Sequence, residues 1–191
     1  AFSLALGGEP LHGGWRWLGA GESPDPSGFR GAGRPVRHAQ ISLGHEERPV
    51  VVTVHTRLDG GPFMIRWLEI TNKGEQPTAI SAVSPWSGLV WMHRYAEHTP
   101  EDCPSPFELA YTHRFNWGEE GDLWWEPLPE GTKVVDGGHK GRSGWGRPAF
   151  LLRNRANGEL LWGELGWSGN WHMAFTCTRN EPVGQASLTF S

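Results

Sequence analysis

The sequence predicts an all-β fold, an antiparallel β-sandwich with little or no helix, and three observations carry that expectation. Glycine and proline, 27 and 15 of 191 residues, exceed their ordinary shares of ~7% and ~5%, and both interrupt helices. The chain also holds 12 tryptophans, a residue that fits a half-buried pleated surface alongside Val, Ile and Thr. Apolar residues recur at every second position, the strand period, in several short runs bounded by turn residues.

The elements follow in chain order. In PVVVTVHTRL, Val50, Val52 and Val54 alternate with Val51, Thr53 and His55, which predicts a strand with one apolar and one mixed face. PFMIRWLEITN supplies a longer strand over 63–71, stopped by NKGEQ, where Asn72 and Gly74 tolerate positive φ. TAISAV, 78–83, reads as the returning strand of that hairpin. PAFLLRN (148–154) and ELLWGEL (159–165) flank a turn with Asn157-Gly158 at its tip, the strongest short hairpin signal. In WHMAFTCT, Trp171, Met173, Phe175 and Cys177 share one face, with His172, Ala174 and Thr176 on the other. QASLTF forms a last strand. EHTPEDCPSP holds three prolines that break any helix there. The sum is about ten short strands in antiparallel hairpins, with long loops near 20–35, 94–107 and 118–147, forming one sandwich domain over 1–191.

Charge and cysteine content bound the partners. Net charge is −4 and the pI about 6.1, with both signs scattered and no Lys/Arg block, which argues against nucleic acid and anionic membrane. No apolar run approaches the ~20 residues of a membrane-spanning helix, and AFSLAL lacks the basic flank and long apolar stretch of a signal peptide. Cys103 and Cys177 leave the redox compartment open. They read first as two unpaired thiols, because a bridge would need Cα atoms ~4.4–6.8 Å apart.

Chemistry-bearing patterns are sparse. The nine histidines are dispersed without HxH, HxxxH or a CxxC partner, so neither a metal nor another cofactor is expected. GWSGN places Ser168 outside a nucleophile elbow. The Gly-rich stretches at Gly137-Gly138 and 141–146 precede no helix that could face a phosphate. Asp25, Asp59, Asp102, Asp122 and Asp136 fall in expected loops beside Gly or Pro and read as turn formers. Glu69 and Glu164 lie within strands, where they face solvent or pair across the sheet. No complete catalytic set emerges, and no catalytic residue is assigned.

Aromatic surface is the stronger signal. Trp124 and Trp125 adjoin in the expected loop EGDLWWEPLPEG, and neighbouring residues of an extended segment point to opposite faces. Trp117 and Trp145 are flanked by glycine. Such rings stack on sugars, peptides or another domain, so all four are candidate ligand or interdomain contacts.

In that setting AFSLALGGEPLHGGW, MIRWLEITNKGEQPTAI, GRSGWGRPAFLL and GELGWSGNW occur in an order that resembles the N-terminal domain of family 36 glycoside hydrolases, the α-galactosidase-like enzymes. The similarity is strongest over 62–84 and 142–178. It implies a β-supersandwich, related in fold to galactose mutarotase, that precedes a catalytic (β/α)8 barrel. The two catalytic aspartates would belong to that barrel, leaving this part without one. Implied partners are the barrel of the same polypeptide, carbohydrate near the active-site wall, and a further copy in a homo-oligomer. Within WGELGWSGNW, Gly163 and Gly166 are expected to bend the strand and Trp162 and Trp171 to be buried. Trp167 and Asn170 are expected at a turn near the barrel-facing edge. Three other readings stay open: a stand-alone carbohydrate-binding module, a small mutarotase- or lyase-like enzyme, and an oligomerisation domain.

Overall fold

Fifteen β-strands and no helix make up the described residues of the computed structural model, which are 1–23, 36–94, 105–112, 122–137, 147–167, 169–180 and 184–191. The chain divides into two compact units, Ala1–Ser87 and Gly88–Ser191. The first holds β1 (Ser3–Leu6), β2 (Glu9–Pro10), β3 (Trp15–Ser23), β4 (Arg37–His45), β5 (Val50–Leu58), β6 (Met64–Asn72) and β7 (Ile80–Ser84). The second holds β8 (Gly88–Arg94), β9 (Phe107–Tyr111), β10 (Trp124–Pro127), β11 (Gly131–Gly137), β12 (Ala149–Asn154), β13 (Leu160–Glu164), β14 (Trp171–Asn180) and β15 (Gln185–Phe190). None of these residues forms a helix long and apolar enough to cross a membrane.

In the first unit the sheets run β2-β1-β7 and β3-β4-β5-β6, all pairs antiparallel. Alternation explains how they meet. Leu4 and Leu6 of β1 share a buried cluster with Leu11, Val50 and Val52, and Phe2, Trp15, Val54, Leu68 and Ile70 pack against it. The apolar face expected from Val50, Val52 and Val54 is therefore the core face. Each fully buried side chain of this size contributes roughly 1.5–3 kcal/mol.

In the second unit the orders are β10-β9-β12-β13 and β11-β14-β15-β8. Phe150 of β12 meets Phe175 of β14 edge-on at 5.0 Å between centroids and Phe190 of β15 at 5.2 Å. Leu109, Leu152, Met173, Cys177 and Leu188 are buried with them. The faces expected for 171–178 are the faces observed. The 149–164 hairpin also forms as expected, with Gly158 at φ 75° and Asn157 Oδ1 accepting from the Glu159 amide at 3.0 Å.

Three expectations are corrected. Residues 80–84 do not return as a hairpin on β6, because β7 pairs with β1, Leu4 opposite Val83. The NKGEQ turn does form, with Asn72 Oδ1 accepting from the Gly74 amide at 2.9 Å. The stretch 118–147 is not one loop, since it contains β10 and β11, and Trp124, Trp125 and Asp136 lie in strands. Trp162 is 50% exposed rather than buried, because β13 turns Leu161 and Gly163 inward, opposite Leu152 and Phe150. Trp171 is buried as expected.

Candidate functional site

The aromatic surface gathers on the four-stranded sheet β10-β9-β12-β13. Phe150, Leu152, Leu109 and Phe107 face the core, so the alternate residues Leu151, Arg153, Ala110 and Glu108 face away. Across that outer face Trp125 stands opposite Ala110, Ala110 opposite Leu151, and Leu151 opposite Trp162. One row thus carries an indole at each edge strand. Beside it Glu108, itself buried, accepts from Arg153 Nε at 2.6 Å and from Arg155 Nη1 at 3.3 Å. The Arg153 guanidinium reaches across β9 to lie 4.5 Å from the Trp125 ring centroid, a cation–π contact that holds the ring in place.

Trp124, next along β10, is exposed and pairs with Tyr111 on β9. Lys133 of β11 closes on the same corner, 2.8 Å from Glu126 and 5.5 Å from the Tyr111 ring. Its hydrogen bonds to Glu126 and then Tyr111 raise the ammonium above the ordinary lysine value, against a smaller effect of burial. A raised folded-state value means that this contribution is complete below the unfolded lysine value and lost as pH rises through the folded one. The alkaline limb of an unfolding curve against pH should therefore be shallower in Lys133→Met than in the parent chain, and coincident limbs would remove this assignment.

The turn after β13 presents Trp167. Its ring is exposed, yet Nε1 donates to the Asn170 carbonyl at 3.1 Å and its amide donates to the Leu165 carbonyl at 2.8 Å. A Cβ on Gly169 would sit 2.7 Å from Trp167 Nε1, so glycine here lets the ring fold onto the backbone. Gly163 acts in a similar way. Its missing side chain admits Phe150, whose Cζ would lie 2.3 Å from an added Cβ, so it serves close packing rather than a bend. Trp117 and Trp145 lie outside the described residues, as do Cys103 and Ser168. Trp125 and Trp162 thus share the outer face of one sheet, Trp124 stands on the opposite face of the same sheet, and Trp167 with Asn170 forms a separate turn.

A second cluster, which sequence reasoning missed, occupies the non-core face of β3-β4-β5-β6. Gln40 pairs with His55, His55 with Trp67, and His38 with Ser23, so the two histidines are diagonal neighbours. His38 Nε2 lies 2.9 Å from His55 Nδ1, and the rings are 5.1 Å apart and 23° from parallel. This is an edge-to-edge pair close to one plane. Trp67 lies parallel to both rings, at 4.8 Å from His55 and 5.0 Å from His38. The proton order follows from the ends. Gln40 Nε2 donates to Ser23 Oγ at 2.7 Å, which directs the Ser23 hydroxyl toward His38 Nδ1 at 2.8 Å. His38 then donates from Nε2 to His55 Nδ1, leaving the second proton on His55 Nε2. That nitrogen lies 3.4 Å from the Glu69 carboxylate without forming a hydrogen bond. With His38 2% and His55 7% exposed, no substrate reaches these rings, and the pair is a structural element.

Among the described residues no three His, Cys, Asp or Glu side chains are placed to hold a metal ion. Glu69 and Glu164 are exposed, and Glu69 lies beside His55 across the sheet. Cys177 is a free, buried thiol, and burial pushes it up, which makes it unreactive.

No family model matches the sequence, and no curated protein does. Solved structures do match over the whole chain. A variant of the GH36 α-galactosidase AgaA from Geobacillus stearothermophilus, in complex with stachyose, superposes with a TM-score of 0.68 at 16% identity, covering 100% of this chain and 26% of that one. The α-galactosidase from Lactobacillus brevis gives 0.67 at 13%, over 100% and 25%. The galactosidase domain of the α-galactosidase–sucrose kinase AgaSK gives 0.67 at 16%, over 100% and 26%. The chain therefore has the fold of a part of these enzymes and spans about a quarter of their length.

Proposed function

We propose that residues 1–191 are the N-terminal accessory domain of an α-galactosidase-like glycoside hydrolase, and that chemistry resides in a separate catalytic barrel of the same polypeptide. The observation that carries this reading is the fold match over the entire chain to one quarter of several GH36 α-galactosidases. The order of the motifs around WGELGWSGNW supports it independently. In this reading Trp167 is the anchor at the seam with the barrel. It is exposed but fixed by its bond to Asn170, and a pre-ordered ring loses little side-chain freedom on docking. Trp124 supplies a second contact, Trp117 and Trp145 are assigned to the same seam on sequence grounds alone, and homo-oligomer contacts belong to the assembled enzyme. The substrate class is the α-galactosyl oligosaccharide, of which stachyose is one.

Hydrolysis of raffinose, assayed for this chain alone and for the product of its complete reading frame, tests the reading. Activity is expected only in the longer product. Hydrolysis by the chain alone, or a frame that closes at Ser191, would overturn it.

A further inference from the structure

We propose that the outer face of β11-β14-β15-β8 is the surface on which the rest of the longer polypeptide, its catalytic barrel, docks. The identity of that occupant rests on the function proposed above, whereas the face rests on its own geometry.

Strand phase defines the face. Met173, Phe175 and Cys177 of β14 and Ala186 and Leu188 of β15 are buried in the core, so the residues between them point the other way. Register lays these out in rows across the sheet: Val134 beside Ala174, then Thr132 beside Thr176, Thr189 and Leu89, then Thr178 beside Ser187 and Met92. The two central strands thus present small side chains and a level floor. Val134, Leu89 and Met92 stand on the edge strands, each more than half exposed.

The chemistry of these rows selects a protein surface. They hold no ionisable side chain, so they offer nothing to a phosphate or a charged lipid headgroup. They also hold no Trp, Tyr or Phe on which a sugar could stack. Their hydroxyls bond one another, Thr132 Oγ1 with Thr176 Oγ1 at 2.9 Å and Thr178 Oγ1 with Ser187 Oγ at 2.6 Å. Hydroxyls that already have a partner cost less to cover than free ones. Covering Val134, Leu89 and Met92 contributes ~25 cal/mol for each Å² of apolar surface removed from water.

Size selects a tethered occupant over a free one. The sheet measures ~14 Å across its four strands and ~27 Å along β14 from His172 to Asn180, or ~400 Å². A stable complex of separate proteins needs ~800 Å² from each partner, about twice this face. Domains of one chain pack over as little as ~600 Å² counted on both sides, because the tether raises their effective concentration. The chain spans about a quarter of the α-galactosidases that share its fold, so the longer protein supplies a large body to dock. β15 also directs the backbone along this sheet. Ser191 exchanges hydrogen bonds of 2.8 and 3.0 Å with Ala174, heading toward Trp171, where the Trp167 turn enters β14.

The methionines provide the test. Met92 stands on the face, Met64 is exposed on β6, and Met173 is buried. Peroxide oxidation, followed residue by residue by mass spectrometry, compares this chain with the product of its complete reading frame. In the chain alone Met92 should oxidise at a rate comparable to Met64, with Met173 far slower. In the longer product Met92 should slow about tenfold, since thioether oxidation follows exposure, and should stay slow on dilution. Equal Met92 rates in the two proteins overturn the proposal, as does a Met92 already protected in the chain alone. Protection that disappears on dilution overturns it too, making the occupant a second copy. Raffinose hydrolysis is read separately. If the longer product hydrolyses raffinose while Met92 stays reactive, the face falls and the accessory-domain reading stands, whereas a frame that closes at Ser191 removes both.

Discussion

Replacing Gly163 by alanine is expected to destabilise the chain by about 3 kcal/mol, the upper range for overpacking a filled core. The added Cβ would stand 2.3 Å from Phe150 Cζ and 2.6 Å from Cε1, far inside van der Waals contact. A ring at the end of a loose side chain could swing aside, but Phe150 cannot. It is buried, and Phe175 and Phe190 hold it at 5.0 and 5.2 Å. Relief would have to come from separating β12 and β13, breaking the row in which Phe150 opposes Gly163. Urea unfolding followed by near-UV circular dichroism measures the loss. The double variant Gly163→Ala/Phe150→Leu should be more stable than the two single effects sum to, because a smaller side chain removes the clash that alanine creates. A neutral Gly163→Ala would mean that the strand can flex there after all.

That glycine shows how far the sequence could be read. Strand propensity, the turn at Asn157-Gly158 and the alternation in 171–178 are local properties, and each gave the observed element. Strand pairing is not local. Ile80 to Ser84 find their partner in Ser3 to Leu6, and nothing in the period-two pattern of either segment states which of several strands it will join. β10 and β11 were hidden for a related reason. They are short and bounded by proline or glycine, and their hydrogen-bonding partners β9 and β14 supply the order that propensity lacks. The outward turn of Trp162 followed from a one-residue question of phase, since inward-facing Leu161 and Gly163 leave the larger ring outside. At the candidate site, the exposure of Trp124 and Trp125 was legible in their adjacency. The Glu108–Arg153 pair was not, because it joins residues 45 apart. The histidine pair has a readable signal in the sequence: His38, Gln40 and Ser42 alternate with Ala39, Ile41 and Leu43, the mark of a strand with one polar face.

His55→Ala should cost about 3 kcal/mol, from a cavity under a stacked indole together with an orphaned donor. His38 would keep its proton on Nε2, buried and facing the space that His55 Nδ1 had filled. Trp67 would lose the ring that lies parallel to it at 4.8 Å. His38→Ala orphans the opposite end, leaving His55 Nδ1 without its donor and Ser23 without its acceptor. Because each single change already breaks the shared bond, the double variant should cost less than the sum, and the cycle measures the coupling. Imidazole nitrogen NMR tests the proton order directly: each ring should carry a proton on Nε2, with Nδ1 as acceptor. An Nδ1–H signal from His38, or a His55→Ala variant as stable as the parent, would show that Ser23 and Gln40 do not set the direction of this chain.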